Sequence, residues 1–318
     1  MPSPRASVVA LLAAAAASVL VVAAGCGDEG GGANGTSVSA VATTTQVADL
    51  VRNVGGSRVA VDGILPANAD PHGYEPRPSD AAALTDADVV FQAGGDIDEW
   101  LDEVVDSAGG HAERVTLIDS VTTVEGEDEH GEETDPHWWQ DPRNAILAVA
   151  AIRGALVRAD PDGRAGYERR AAGYSGKLRR LDAEVARCID QVPAGKRKLV
   201  TTHDALGYFA NRYGIEVIGA VIPALSTQAQ PSAKDVGELV DQIKSEGVEA
   251  IFPEASLSRK LEQAISREAG AEVGGQLWAD TLGPEGSSGE TYLDAVRANA
   301  GTLAEGLSGG SVTCSFSR

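Results

Sequence analysis

Basic residues are scarce in this chain of 318: 26 Lys and Arg stand against 47 Asp and Glu, for a formal charge of -21. That shortage excludes a nucleic-acid partner, because phosphate recognition needs clustered Lys and Arg. A field of this sign draws cations instead, although acidity also serves solubility alone. Cysteine is limited to three residues and histidine to five. There is no HExxH, and Gly173-Tyr174-Ser175-Gly176-Lys177 does not meet the GxSxG pattern, so two common hydrolase signatures are missing.

Long apolar runs are missing too, except at the start. Residues 8–24 follow Arg5 and end at Gly25-Cys26, the pattern of a secretory signal peptide over 1–25. Ala23-Ala24-Gly25-Cys26 resembles the lipobox of bacterial lipoproteins. That resemblance implies cleavage, lipidation of Cys26 and anchoring on the outer face of the cytoplasmic membrane. A transmembrane anchor is the alternative, but the run only just reaches spanning length and has no basic stop after it. Residues 26–37, with GDEGGGANG at their centre, read as a flexible tether. Setting Cys26 aside leaves Cys188 and Cys314. In an exported protein such a pair suggests one disulfide, the alternative being two separate small core residues.

The rest alternates strand and helix. Strands are predicted at 38–45, 58–64, 88–93 and 114–118, with helices at 46–54, 78–84 (Ser79 as N-cap) and 96–107. A second series has strands at 198–202, 215–221, 248–252 and 271–278 and helices at 205–213, 232–246, 258–269 and 289–307. The implied fold is α/β: two lobes, 38–160 and 193–318, each a mostly parallel sheet flanked by helices. A helical stretch at 143–160 leads into a long helix within 161–192, which would join the lobes as a stiff backbone. The acidic block at 125–133 reads as a solvated, disordered loop, or alternatively as a weak cation-capture loop with His130 as a transient ligand.

Three of the five histidines stand at element boundaries beside an aspartate. Asp70-Pro71-His72 and Asp135-Pro136-His137 are identical tripeptides, and His203 follows a strand in Thr202-His203-Asp204. The steps from 72 to 137 and from 137 to 203 are 65 and 66 residues. Imidazole and carboxylate are the donors a borderline transition metal prefers. A proline before a histidine stiffens its approach. Any one of these histidines alone would more often be a hydrogen-bonded core residue; the joint pattern points to one cleft site. Asp70, Asp135 and Asp204 are candidates to hold the second ring nitrogens or other loop donors.

The segments around these residues resemble the zinc- or manganese-binding solute-binding lipoproteins of bacterial ABC importers, the cluster A-I family, and the likeness runs over 38–318. Asp70-Pro71-His72-Gly73-Tyr74-Glu75-Pro76 is similar to the family's first ligand loop, and Pro136-His137-Trp138-Trp139-Gln140-Asp141-Pro142 to its second. Thr202-His203-Asp204-Ala205-Leu206-Gly207-Tyr208-Phe209 is similar to the third, and Trp278-Ala279-Asp280-Thr281-Leu282-Gly283 to the fourth. The resemblance implies a metal site of His72, His137, His203 and Asp280 between two lobes, with an ABC permease as partner. His203 stands where manganese members generally carry a glutamate, which favours Zn(2+), with Mn(2+) the alternative cargo. The chain is expected to work as a monomer, to capture and deliver metal, and not to be an enzyme. A metal-dependent adhesin or chaperone would keep the same ligands. A zinc hydrolase is the distant alternative, with Glu75 or Asp204 as base.

Overall fold

The computed structural model describes residues 36–128 and 131–316. The signal peptide, Cys26, most of the tether and His130 lie outside them. The first lobe starts with β1 (Val38–Ala42), whose Val38, Ala40 and Ala42 face one apolar cluster while Val41 faces another. A strand buried on both faces reads as a near-continuous apolar run, and VSAVA, with Ser39 its one polar residue, fits that. The chain continues through α1 (Thr45–Gly55), β2 (Val59–Gly63), α2 (Pro78–Asp86), β3 (Val89–Gln92), α3 (Trp100–Ala108) and β4 (Glu113–Thr116). Its sheet is wholly parallel with order β2-β1-β3-β4.

The α2 cap differs from expectation. Arg77, not Ser79, holds the N-cap position, Pro78 opens the helix, and the Asp80 carboxylate accepts the Arg77 N–H at 2.7 Å. Proline suits the first helical position because its missing N–H would have had no partner there.

The acidic block also departs from the expected disordered loop. It forms a hairpin of β5 (Glu125–Asp128) and β6 (Gly131–Thr134), pairing Glu125 with Thr134 and Gly126 with Glu133. Anchors outside the charge run decide this. The Tyr208 hydroxyl accepts the Val124 N–H at 3.3 Å and donates to the Asp135 carbonyl at 2.8 Å. Leu225 lies so close to Gly126 that a Cβ there would meet its Cδ2 at 2.8 Å.

From the hairpin the chain enters α4 (Pro142–Ala159), capped by the Asp141 side chain, and then α5 (Arg164–Ile189). At 26 residues, α5 is about 39 Å long, somewhat shorter than the predicted piece. Tyr167, Ala171, Tyr174, Leu178, Leu181, Val185 and Cys188 repeat every three or four residues and are all buried. The main apolar cluster passes through these residues and takes in β1, α1, α4, α6 and α9, so α5 is the shared spine of both halves. A disulfide joins Cys188, at the end of α5, to Cys314.

The second lobe comprises β7 (Lys198–His203), α6 (Gly207–Tyr213), β8 (Glu216–Ile222), α7 (Ala233–Glu246), β9 (Ala250–Ile251), α8 (Lys260–Ala269), β10 (Glu272–Val273) and α9 (Tyr292–Leu307). β7 pairs with β8 and β9 with β10, all parallel, and a Thr201–Phe252 bridge ties the two pairs together. The resulting order, β8-β7-β9-β10, repeats that of the first lobe with no matching sequence. β9 and β10 are shorter than predicted. Pro253, with no N–H to give a ladder, follows β9, and Gly274-Gly275 follows β10.

Candidate metal centre

His72 lies in the loop after β2, and His137 directly before the 3-10 turn Trp138–Gln140 that leads into α4. His203 is the last residue of β7, and Asp280 lies in the loop after β10. The His72, His203 and Asp280 loops therefore leave the carboxyl ends of parallel strands, where open α/β folds place their ligands, while His137 follows the β5–β6 hairpin. All four side chains converge: one donor atom from each lies within 4.8 Å of the others. Each side chain is at most 1% exposed.

Each histidine is fixed through its backbone by a carboxylate. The Asp70 Oδ1 accepts the His72 N–H at 3.1 Å, and the Asp135 Oδ1 accepts the His137 N–H at 2.8 Å. This is the Asx turn, in which an aspartate accepts from the backbone two residues on. It explains the repeated Asp-Pro-His. Asp135 also faces the His137 Nδ1 at 2.7 Å. Asp70 spends its second oxygen on the Thr227 hydroxyl, 2.7 Å away, in the loop after β8.

His203 follows another route. Its N–H and its Nδ1 both meet the Glu254 Oε1, at 2.9 and 2.8 Å. Asp204, a sequence candidate for that role, follows His203, whereas an Asx turn bonds two residues ahead; the partner comes instead from beside β9. Glu254 is buried, 51 residues downstream of His203, and no local spacing announces it. His111 is exposed and precedes β4, at the amino end of the sheet, and Glu75 is exposed as well.

With the Nδ1 atoms of His137 and His203 turned to carboxylates, the Nε2 atoms face inward. His137 Nε2 lies 3.4 Å from the Nε2 of His72 and 3.4 Å from that of His203. Asp280 oxygens lie 3.5 Å from the Nε2 of His72, 3.5 Å from that of His137 and 3.1 Å from that of His203. Neither Asp280 oxygen has a hydrogen-bond partner, though both are buried. Such an orphaned carboxylate against inward-facing ring nitrogens is strongly unfavourable unless positive charge sits among them.

The electrostatics of these groups favour protonated imidazole beside ionised carboxylate. Burial alone would lower the His203 pKa, but the Glu254 and Asp280 carboxylates outweigh it and hold it well above its ordinary value. At His137 burial is likewise outweighed, by Asp280 and then Asp135, and the pKa is raised. Burial pushes Asp280 upward, yet the charges of His203 and His137 hold it well below the usual carboxylate range.

Comparison with known proteins agrees with this architecture. Residues 40–306 match the family model described as zinc-uptake complex component A, periplasmic. The manganese-binding lipoprotein MntA of Halalkalibacterium halodurans is 31% identical over 286 residues, covering 89% of this chain and 93% of its own. The periplasmic zinc binding protein TroA from Treponema pallidum superimposes with a TM-score of 0.80 at 30% identity, over 85% of this chain and 99% of that one. The Mn-bound periplasmic metal binding protein from Candidatus Liberibacter asiaticus gives 0.77 at 25% identity, with the same coverage. Two like-ordered α/β lobes on one long helix, matched over most of their length by sequence and by shape, make this chain a member of the family of zinc-uptake complex component A.

Proposed function

We propose that this chain is the extracytoplasmic substrate-binding component of an ABC importer, which takes up one divalent transition-metal ion on His72, His137, His203 and Asp280 and hands it to a membrane permease. The observation that carries the reading is the set of inward-facing Nε2 atoms around an unpartnered carboxylate. Donors about 2.0–2.1 Å from a tetrahedral ion are separated by about 3.3–3.4 Å, the edge of that tetrahedron. Four separations that share one set of donor atoms, the three Nε2 atoms and the Asp280 Oδ2, run from 3.1 to 3.5 Å and bracket that edge.

Zinc is the cargo that three imidazoles and one carboxylate favour. Manganese is the second reading, supported by the manganese named for MntA and for the Mn-bound structure. Titration of the demetallated protein with both ions, against a competing chelator, separates the two. Tight one-to-one zinc binding with weak manganese binding supports zinc; equal affinities leave the choice to cellular supply. Trp139, whose ring centroid is 5.6 Å from that of His137, provides a fluorescence signal.

The family and the relatives are transport components rather than enzymes. The chemistry agrees, since a fourth protein ligand closes a tetrahedral site against the water a hydrolase needs. The relatives' names as lipoproteins accord with export and with a lipid anchor at Cys26. No helix among the described residues is long and apolar enough to cross a membrane.

A further inference from the structure

We propose that Gln140 and Gln46 are positioning residues for the Asp280 carboxylate, which they hold through the carbonyl of the preceding residue, Ala279. The proposal rests on Asp280 being a metal ligand, as inferred above.

The backbone approaching Asp280 changes hands at one peptide. Up to Trp278 its own lobe holds it. The Leu277 N–H donates to the Pro253 carbonyl at 2.9 Å, and the Asn299 side chain of α9 bonds both the N–H and the carbonyl of Trp278 at 2.8 Å. At Ala279 and Leu282 the partners come from the first lobe. The Ala279 carbonyl accepts from Gln140 Nε2 at 2.8 Å, Trp139 Nε1 at 2.9 Å and Gln46 Nε2 at 3.3 Å. The Leu282 N–H donates to the Thr45 hydroxyl at 2.8 Å, and its carbonyl accepts the Asn68 N–H at 3.0 Å.

A carbonyl oxygen has two lone pairs, so three donors exceed what burial requires. The excess fixes direction. Gln140 and Trp139 follow His137 by three and two residues, so the turn that delivers one ligand also grips the residue before another. Gln46 adds a second hold from the first turn of α1. Asp280 is thereby carried by the first lobe together with His72 and His137, although its chain arrives from β10. His203 is held within the second lobe, through Glu254.

A double-mutant cycle on the full-length protein tests this, with zinc affinity read by chelator competition. Gln140→Met keeps length and removes the donor. We expect it to weaken zinc binding about tenfold or more, the usual effect of losing a group that orients a ligand. In the Asp280→Ala background the same change should have no further effect, because the group it positions is gone. Equal losses in both backgrounds would mean a general structural role and overturn the proposal. So would unchanged affinity of Gln140→Met while Asp280→Ala binds poorly. Unchanged affinity of Asp280→Ala itself would instead remove the ligand assignment underneath, and the positioning role with it. Should Gln140→Met fail to fold, Gln46→Met runs the same cycle with a smaller expected loss, and a flat result there also overturns the proposal.

Discussion

Lowering the pH from about 8 to about 6 should weaken metal binding steeply, because the ion must displace protons that the metal-free site holds tightly. His203 and His137 both sit above their ordinary pKa of 6.5, opposite Asp280 and backed by Glu254 and Asp135. Each proton displaced changes affinity about tenfold per pH unit, or about 1.4 kcal/mol. The two Nε2 atoms are 3.4 Å apart, so one imidazolium opposes the other and the second proton is held less firmly. Between about one and two protons should therefore leave per ion, a loss of about 100-fold to 10,000-fold in affinity over the two pH units. Calorimetry in buffers of different ionisation enthalpy counts those protons directly. Glu254→Gln should lower the count and flatten the pH dependence, since it removes a negative charge that holds the His203 proton. Binding that releases no protons, with affinity flat across this range, would refute the reasoning. Stability follows the same linkage. A raised histidine stabilises the metal-free fold fully below about 6.5 and loses that contribution as pH rises through the folded-state value. The rise in Tm on adding metal should therefore be larger at pH 8 than at pH 6.

His203→Ala should abolish tight zinc binding while the metal-free circular dichroism spectrum stays unchanged; unaltered affinity would remove His203 from the site. Reducing the Cys188–Cys314 bridge opens a loop of 126 residues, which loop-closure entropy values at about 5 kcal/mol. Reduced protein should thus melt about 10–20 °C lower, and an unchanged Tm would contradict that. Leu178→Ala, at a fully buried point of α5, should lower stability by about 2–5 kcal/mol in denaturant titration; a loss below 1 kcal/mol would mean α5 is not the spine described. Cys26→Ser should release the protein from the membrane fraction of expressing cells, and retention there would count against lipidation.

The sequence made some of this legible because the signals are local. Both faces of β1 are covered, so VSAVA is apolar apart from Ser39. The period of α5 is visible from Tyr167 to Cys188. The Asp-Pro-His tripeptides announce an aspartate bonding two residues ahead, and both do so at the amide of the histidine. What stayed hidden depends on distant partners. Glu254 reaches His203 across the sheet from beside β9. The hairpin at 125–134 overrides its charge because Tyr208 and Leu225, from the second lobe, fix it at both edges. β9 starts late because the Val248 N–H is taken by the Ile243 carbonyl at the end of α7, and β10 is cut short by the Gly274-Gly275 pair. The Ala279 carbonyl clamp could not be read at all, since its three donors are glutamine and tryptophan side chains with no motif of their own.

One metal ion among His72, His137, His203 and Asp280 is the central claim. Crystals of the zinc-loaded protein, measured at the zinc absorption edge, test it most directly. The claim predicts a single anomalous peak about 2.0–2.2 Å from the three Nε2 atoms and an Asp280 oxygen. A peak elsewhere on the surface, with these four side chains unengaged, would contradict it.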